Sequence, residues 1–272
     1  MLVLLSLRLN KKNINSQIKI LEKPMGIKPI KSALSYLRSM SQNKKVMVAG
    51  PFRSGTNLMK YYLDESGGVE VVFSQWFWKH GLPPSTEEVA IPDTVPIAIM
   101  ARDPEQLNIS LFKFWKKRRP ELDAGHNISE FIRKPLIVYD NTGGNVRPKY
   151  YFSSPTDYWN QFYYAWINWL QIDARRMFIK LEDLHAAPES VISSFVDFAS
   201  LDRKRKNISP PDFYLSASPD GRRVNAATAA FEKGRKEEII LGDEDRAAIA
   251  VKVNPEIAEA LGYDDYARRS GK

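Results

Sequence analysis

The 272-residue chain contains no cysteine, which excludes a disulfide framework, a thiolate metal site and a cysteine nucleophile. Histidine is scarce, and His80, His126 and His185 are too scattered to suggest a zinc site by spacing. No segment approaches the roughly 18 uncharged apolar residues that a membrane-spanning helix requires. The terminal run MLVLLSL is apolar for only seven residues, and its positive charges follow it rather than precede it, the reverse of a secretory signal. The expectation is therefore a soluble, cytoplasmic protein without a transmembrane segment, with Met25 and Met40 as further plausible starts. The hydrophobic share of 43% is ample for a core and excludes disorder as the general state.

What is present in excess is positive charge: 40 Lys+Arg against 32 Asp+Glu, a formal +8. Residues 1–45 hold ten of the Lys/Arg and a single acid, Glu22, which leaves that stretch at +9 and the other 227 residues at −1. A basic arm thus precedes a nearly neutral body, so total charge is a poor argument for nucleic-acid binding by the fold, and no nucleic-acid partner is expected. The expected organisation is a basic N-terminal extension over 1–44, solvated or partly disordered, a catalytic-size body over 45–265 and a short tail over 266–272.

From residue 45 onward short apolar runs alternate with helical stretches. VMVAG (46–50), VEVVFS (69–74), PIAIMAR (96–102) and MFIKL (177–181) are apolar on both faces, as interior strands of a parallel sheet are. Segments 56–64, 104–117 and 156–175 between them have 3.6-residue periodicity, and this alternation implies right-handed βαβ units. The fold class expected is α/β, a P-loop-like three-layer α/β/α arrangement with a central parallel sheet of about four or five strands. Residues 116–157, rich in Pro, Gly, Asn and charge, read as a long irregular insertion of the kind that forms substrate-binding elements. It opens on the cluster Lys116–Arg119, either a solvated helix end or a clamp for an anionic acceptor. Residues 188–198 read as a helix with Pro188 in its first turn, 203–207 as a solvated charge run, and 243–261 as a helix stopped by Gly262. Trp159, Tyr163, Trp166 and Leu170 recur at helical spacing and are assigned to core packing rather than base stacking.

The first strand runs into Gly50-Pro51-Phe52-Arg53-Ser54-Gly55-Thr56-Asn57 and then an amphipathic helix. Loop amides and the positive end of the helix converge there, with hydroxyls and the Arg53 cation beside them, which is the setting for a bound anion. The spacing is that of a P-loop, G-x-x-x-x-G, but Thr56 stands where a nucleoside triphosphatase needs Lys, so a β/γ-phosphate grip is not expected.

These residues resemble the sulfotransferases that use 3′-phosphoadenosine-5′-phosphosulfate (PAPS). Arg53-Ser54-Gly55-Thr56-Asn57-Leu58 looks like that family's 5′-phosphosulfate loop, and Ala101-Arg102-Asp103-Pro104 with Ser110 on the next helix looks like its 3′-phosphate element. The resemblance implies that Arg53, Ser54, Gly55, Thr56 and Asn57 hold the 5′ side of the donor and that Arg102 and Ser110 hold the 3′-phosphate. Lys79 and His80, ahead of Leu82-Pro83, are similar to a family Lys/His pair, although that pair has one residue between its members. By the resemblance His80 is the general base, and Lys79 and Arg53 stabilise the leaving group. Residues 178–198 look like the family's strand, E-D-L and helix segment, with Glu182 and Asp183 mainly structural. Lys233, Gly234 and Arg235, followed by Leu261-Gly262-Tyr263-Asp264-Asp265, resemble its C-terminal loop over the 3′-phosphate, with Glu232 replacing the usual first basic residue.

The function implied is transfer of a sulfuryl group from PAPS to an acceptor hydroxyl, with no metal required. Carbohydrate is favoured as acceptor by overall resemblance and by the aromatic-rich insertion, while lipid and small-metabolite acceptors stay open. Two other readings compete: a P-loop small-molecule kinase with an altered loop, which would depend on Mg-ATP, and a non-catalytic basic binder of nucleic acid or membrane driven by the arm. No motif speaks to the oligomeric state.

Overall fold

A computed structural model describes residues 44–67, 69–73, 75–76, 78–83, 91–92, 94–118, 125–140, 147–169, 175–201, 213–214, 224–225 and 239–269. Apart from Lys44, the basic arm lies outside them, as do the charge run 203–207 and Lys233, Gly234 and Arg235.

The four apolar runs form the sheet anticipated for them. Strands β1 (Lys44–Ala49), β2 (Val69–Val72), β3 (Ile97–Ala101) and β6 (Arg176–Lys180) are all parallel, in the order β2-β1-β3-β6. Alternation along the two central strands sends side chains to opposite faces. Met47, Ala49, Ile97, Ile99 and Ala101 enter one core, and Val46, Val48, Ala98 and Met100 enter another. Helices α1 (Thr56–Ser66), α5 (Leu181–Ala186) and α6 (Pro188–Phe198) cover the second core with Met59, Leu63, Leu184, Ile192 and Phe195. The first is covered by α2 (Pro104–Arg118), α4 (Pro155–Ile167), α7 (Asp243–Lys252) and α8 (Pro255–Ala260). The result is a three-layer α/β/α fold. Because the chain passes from β1 to β2 on one side and then to β3 on the other, the order of connection reverses between β1 and β3, and the crevice at their carboxyl ends is where such sheets bind ligands.

The segment 116–157 is not irregular throughout. Within it α2 runs on to Arg118, a short α3 (Ile128–Phe131) follows, and β4 (Leu136–Asp140) pairs antiparallel with β5 (Arg147–Phe152). Leu136, Val138 and Phe152 are buried in the first core, so this hairpin is docked on the domain by its apolar face. Two helical expectations are also redrawn. Helix α4 stops at Ile167, where Asn168 leaves helical geometry and Arg176 donates to the carbonyls of Ile167 (2.5 Å) and Trp169 (3.0 Å), occupying the acceptors left at the helix end. The stretch 243–261 is two helices because Asn254 accepts from the amides of Glu256 and Ile257 and Pro255 begins a new one. Gly262 does end α8's turn, at φ 74°. Helix α9 (Asp264–Arg269) then crosses the boundary expected near 265, and a two-residue pair, β7 (Phe213–Tyr214) with β8 (Val224–Asn225), completes the described elements. No helix among the described residues is long and apolar enough to cross a membrane.

Candidate functional site

The loop from Gly50 to Gly55 is shaped by backbone demands. Arg53 has φ 69° and Gly55 φ 92°, both left-handed, a conformation that costs about 1–3 kcal/mol in a residue with a side chain. Ser54, fully buried, tightens the turn by donating its hydroxyl and its amide to the Pro51 carbonyl at 2.8 and 3.2 Å. At Gly50 a Cβ would lie 2.3 Å from Ser54 Oγ and 3.1 Å from the Met100 carbonyl, so the loop root must be glycine. The loop thereby delivers α1 with its first-turn amides uncapped by any side chain and with no acid in that turn. Every other described helix has at least one Asp or Glu in its first turn. The positive end of α1 is thus left uncompensated at the crevice, which favours an anion there.

Four of the basic or hydroxyl side chains singled out in the sequence are bonded at this loop or at the start of α1. Arg102, at the end of β3, donates to the Arg53 carbonyl at 2.7 Å, and Arg53 Nε donates to Ser110 Oγ at 3.2 Å across from α2. Lys79 Nζ donates to Asn57 Oδ1 at 2.9 Å and sits 3.6 Å from the centre of the Phe73 ring. Burial, with Lys60 as a smaller like-charge contribution, lowers the Lys79 ammonium to about 8. Burial also lowers Arg102 from its ordinary value, against the pull of Glu182 and Asp103. Thr56 is buried at the first position of α1.

His80 is buried and stacks on Phe52 at 4.2 Å between ring centres, with the Trp78 ring edge-on at 5.5 Å. Its Nδ1 lies 2.7 Å from the Gly50 carbonyl. A carbonyl only accepts, so Nδ1 carries the proton and, in the neutral ring, Nε2 is the basic nitrogen. The Gly50 amide in turn donates to the Lys79 carbonyl at 3.0 Å. One residue at the root of the loop therefore positions both Lys79 and His80.

Tyr158 was not singled out in the sequence, and it links these parts. Its hydroxyl accepts from the Phe52 amide at 3.0 Å and donates to the His80 carbonyl at 3.3 Å, and burial holds its ionisation far above the ordinary tyrosine range. The signal available was its place on α4 beside Trp159, since a buried tyrosine needs a partner for its hydroxyl. Trp159 and Tyr163 are core residues, as expected, but each also donates to a strand-end carbonyl, Arg102 at 2.8 Å and Met100 at 2.9 Å. His126 and His185 are exposed. Among the described residues no three His, Asp or Glu side chains cluster as a metal site.

No protein-family model matches the chain. No curated protein matches it either. Among solved structures the chain is similar to a mouse sulfotransferase, SULT7A1, crystallised in complex with PAP, at 13% identity over 82% of this chain and 88% of that one, with a TM-score of 0.48. A likeness of that size fixes neither family nor activity.

Proposed function

We propose that the chain is a sulfotransferase that moves a sulfuryl group from PAPS to an acceptor hydroxyl. The observation that carries this reading is the acid-free, uncapped start of α1, with Lys79 bonded to Asn57 in its first turn, Arg102 and Ser110 bonded to Arg53 in the loop before it, and His80 fixed at the root of the same loop. The absence of Lys at position 56 speaks against nucleoside triphosphate chemistry at this loop. The arrangement fits a donor with two anionic ends. Ser54, Gly55, Thr56 and Asn57 present the loop and first-turn amides to the 5′-phosphosulfate, while Arg102 and Ser110, at the neighbouring strand end, take the 3′-phosphate. Lys233, Gly234 and Arg235 are proposed to complete the 3′ side, on the motif alone.

In the reaction, the acceptor oxygen forms a bond to sulfur as the bond from sulfur to the phosphate oxygen breaks. The hydroxyl proton passes to His80 Nε2, and Lys79 with Arg53 stabilises charge on the departing oxygen. Fixed charges and amides supply the stabilisation, as in phosphoryl transfer. Phe52, which stacks on His80, Phe114, which stacks on Phe52, and Tyr150 beside Gly81 are all half-buried and would give flat walls for the acceptor body.

Calorimetric titration with 3′-phosphoadenosine-5′-phosphate (PAP) against ATP tests the reading. Tight binding of PAP with none of ATP is expected, and the reverse preference would replace it with a kinase. Arg102→Ala and Arg53→Ala should each weaken PAP binding by about tenfold or more, from the loss of a charged hydrogen bond. His80→Ala should lower kcat by about 10²- to 10⁴-fold with little change in donor affinity.

A further inference from the structure

The proposed 3′-phosphate ligand Arg102 is flanked by two carboxylates, an unfavourable neighbourhood for an anion site. Asp103 follows it directly, and Glu182, at the start of α5, reaches across to accept from the Asp103 amide through Oε1 at 3.0 Å. Both exert an attractive field on the Arg102 guanidinium. Left to themselves, either would compete with a phosphate for that cation.

Each carboxylate is instead occupied by a tyrosine from the C-terminal run Gly262-Tyr263-Asp264-Asp265-Tyr266. Tyr263 donates its hydroxyl to Glu182 Oε2 at 3.0 Å, and Tyr266 donates to Asp103 Oδ2 at 3.0 Å. The remaining oxygens are also taken, Glu182 Oε1 by the Asp103 amide and Asp103 Oδ1 by the Gln106 amide at 2.9 Å. The tyrosine-bearing run is itself anchored at several points. Lys180 donates to the Gly262 carbonyl at 3.1 Å and lies over the Tyr263 ring, the Tyr263 amide donates to Ala258 at 2.7 Å, and the Tyr266 ring is buried in the core. The Arg102 carbonyl is held independently by Trp159. Each of the four carboxylate oxygens thus already accepts a hydrogen bond, and the Arg102 guanidinium donates to the phosphate loop.

We infer that Tyr263 and Tyr266 are positioning residues for donor binding: they keep Glu182 and Asp103 off Arg102, so that its guanidinium stays available to the 3′-phosphate. This rests on the sulfotransferase reading and assigns a role in that same site to the C-terminal segment. Phenylalanine in place of either tyrosine keeps the ring and frees a carboxylate oxygen, which then pairs with Arg102.

The test compares PAP with adenosine 5′-monophosphate, which lacks the 3′-phosphate, by calorimetry on the full chain and on Tyr263→Phe, Tyr266→Phe and Tyr263→Phe/Glu182→Gln. The expected result is a rise of about tenfold in the Kd for PAP in each single variant, the size of one charged hydrogen bond, with the monophosphate unchanged within about twofold. The double variant should regain PAP affinity, because the freed charge is gone. Equal weakening of both nucleotides, no loss of PAP affinity, or no rescue by Glu182→Gln overturns the inference. Thermal unfolding is followed on every variant, and Tyr266→Phe is an independent arm should Tyr263→Phe fail to fold. Failure of the unaltered chain to bind PAP at all overturns the sulfotransferase reading itself, and this inference with it.

Discussion

At the scale of single residues, Lys79 and His80 divide two tasks that pH separates. Lys79 is useful to a departing phosphate only as a cation, and burial brings its pKa down to about 8. Since kcat/KM follows ionisations of the free enzyme, its pH profile should fall on the alkaline side with a midpoint near that value, and the fall should vanish in Lys79→Arg, which stays charged. A profile unchanged by that substitution would remove Lys79 from the chemistry. Stability runs the opposite way. The unfolded chain binds the Lys79 proton more tightly than the folded one, so this group costs stability below about 8 and the cost fades as pH rises toward the ordinary lysine value. The tautomer of His80 follows from one contact, that of Nδ1 with the Gly50 carbonyl, and needs no carboxylate partner to set it.

At the scale of elements, the loop before α1 depends on a conformation more than on a side chain. Gly55→Ala would force a Cβ into φ 92° and within 2.5 Å of Leu181 Cδ1. The expected cost is about 1–3 kcal/mol, read from denaturant midpoints, together with a loss of PAP affinity larger than the stability loss alone predicts. The four parallel strands and the loop between β1 and α1 were legible in the sequence because their signals are local: short runs apolar on both faces, and glycines at fixed offsets. The hairpin β4–β5 was not. Pro148 sits inside it, and its buried positions, Leu136, Val138 and Phe152, stand out only once the core they face exists. Arg53, Arg102 and Ser110 stand out in the sequence through motif spacing, and Lys79 and His80 through residue type ahead of Leu82-Pro83, but the bonds that gather them at one loop do not. Tyr158 was not, because its two partners, Phe52 and His80, lie 106 and 78 residues away. The break at Asn254-Pro255 could have been read from the cap and proline together.

At the scale of the whole molecule, the sheet separates two cores, and the proposed chemistry is confined to its carboxyl edge. Phe195, fully buried in the core beneath α6, takes no part in the proposed chemistry, so Phe195→Ala should cost about 3–5 kcal/mol by cavity formation while the folded fraction binds PAP with unaltered affinity. A matching loss of affinity would mean that packing in this core, which α1 shares through Met59 and Leu63, sets the geometry of the phosphate loop. The bond between Tyr266 and Asp103 joins residues 163 apart in the chain. During synthesis at about 5–20 residues per second, some 8–30 s separate the emergence of its two ends. The strand β3 and its terminal arginine can therefore be in place on the ribosome well before the segment that frees that arginine for a nucleotide has been made. On the proposed role of Tyr263 and Tyr266, full donor affinity is a late-acquired property, reached by chains whose helix α9 has been translated and packed, so products truncated before Tyr263 would carry the sheet with weakened donor binding.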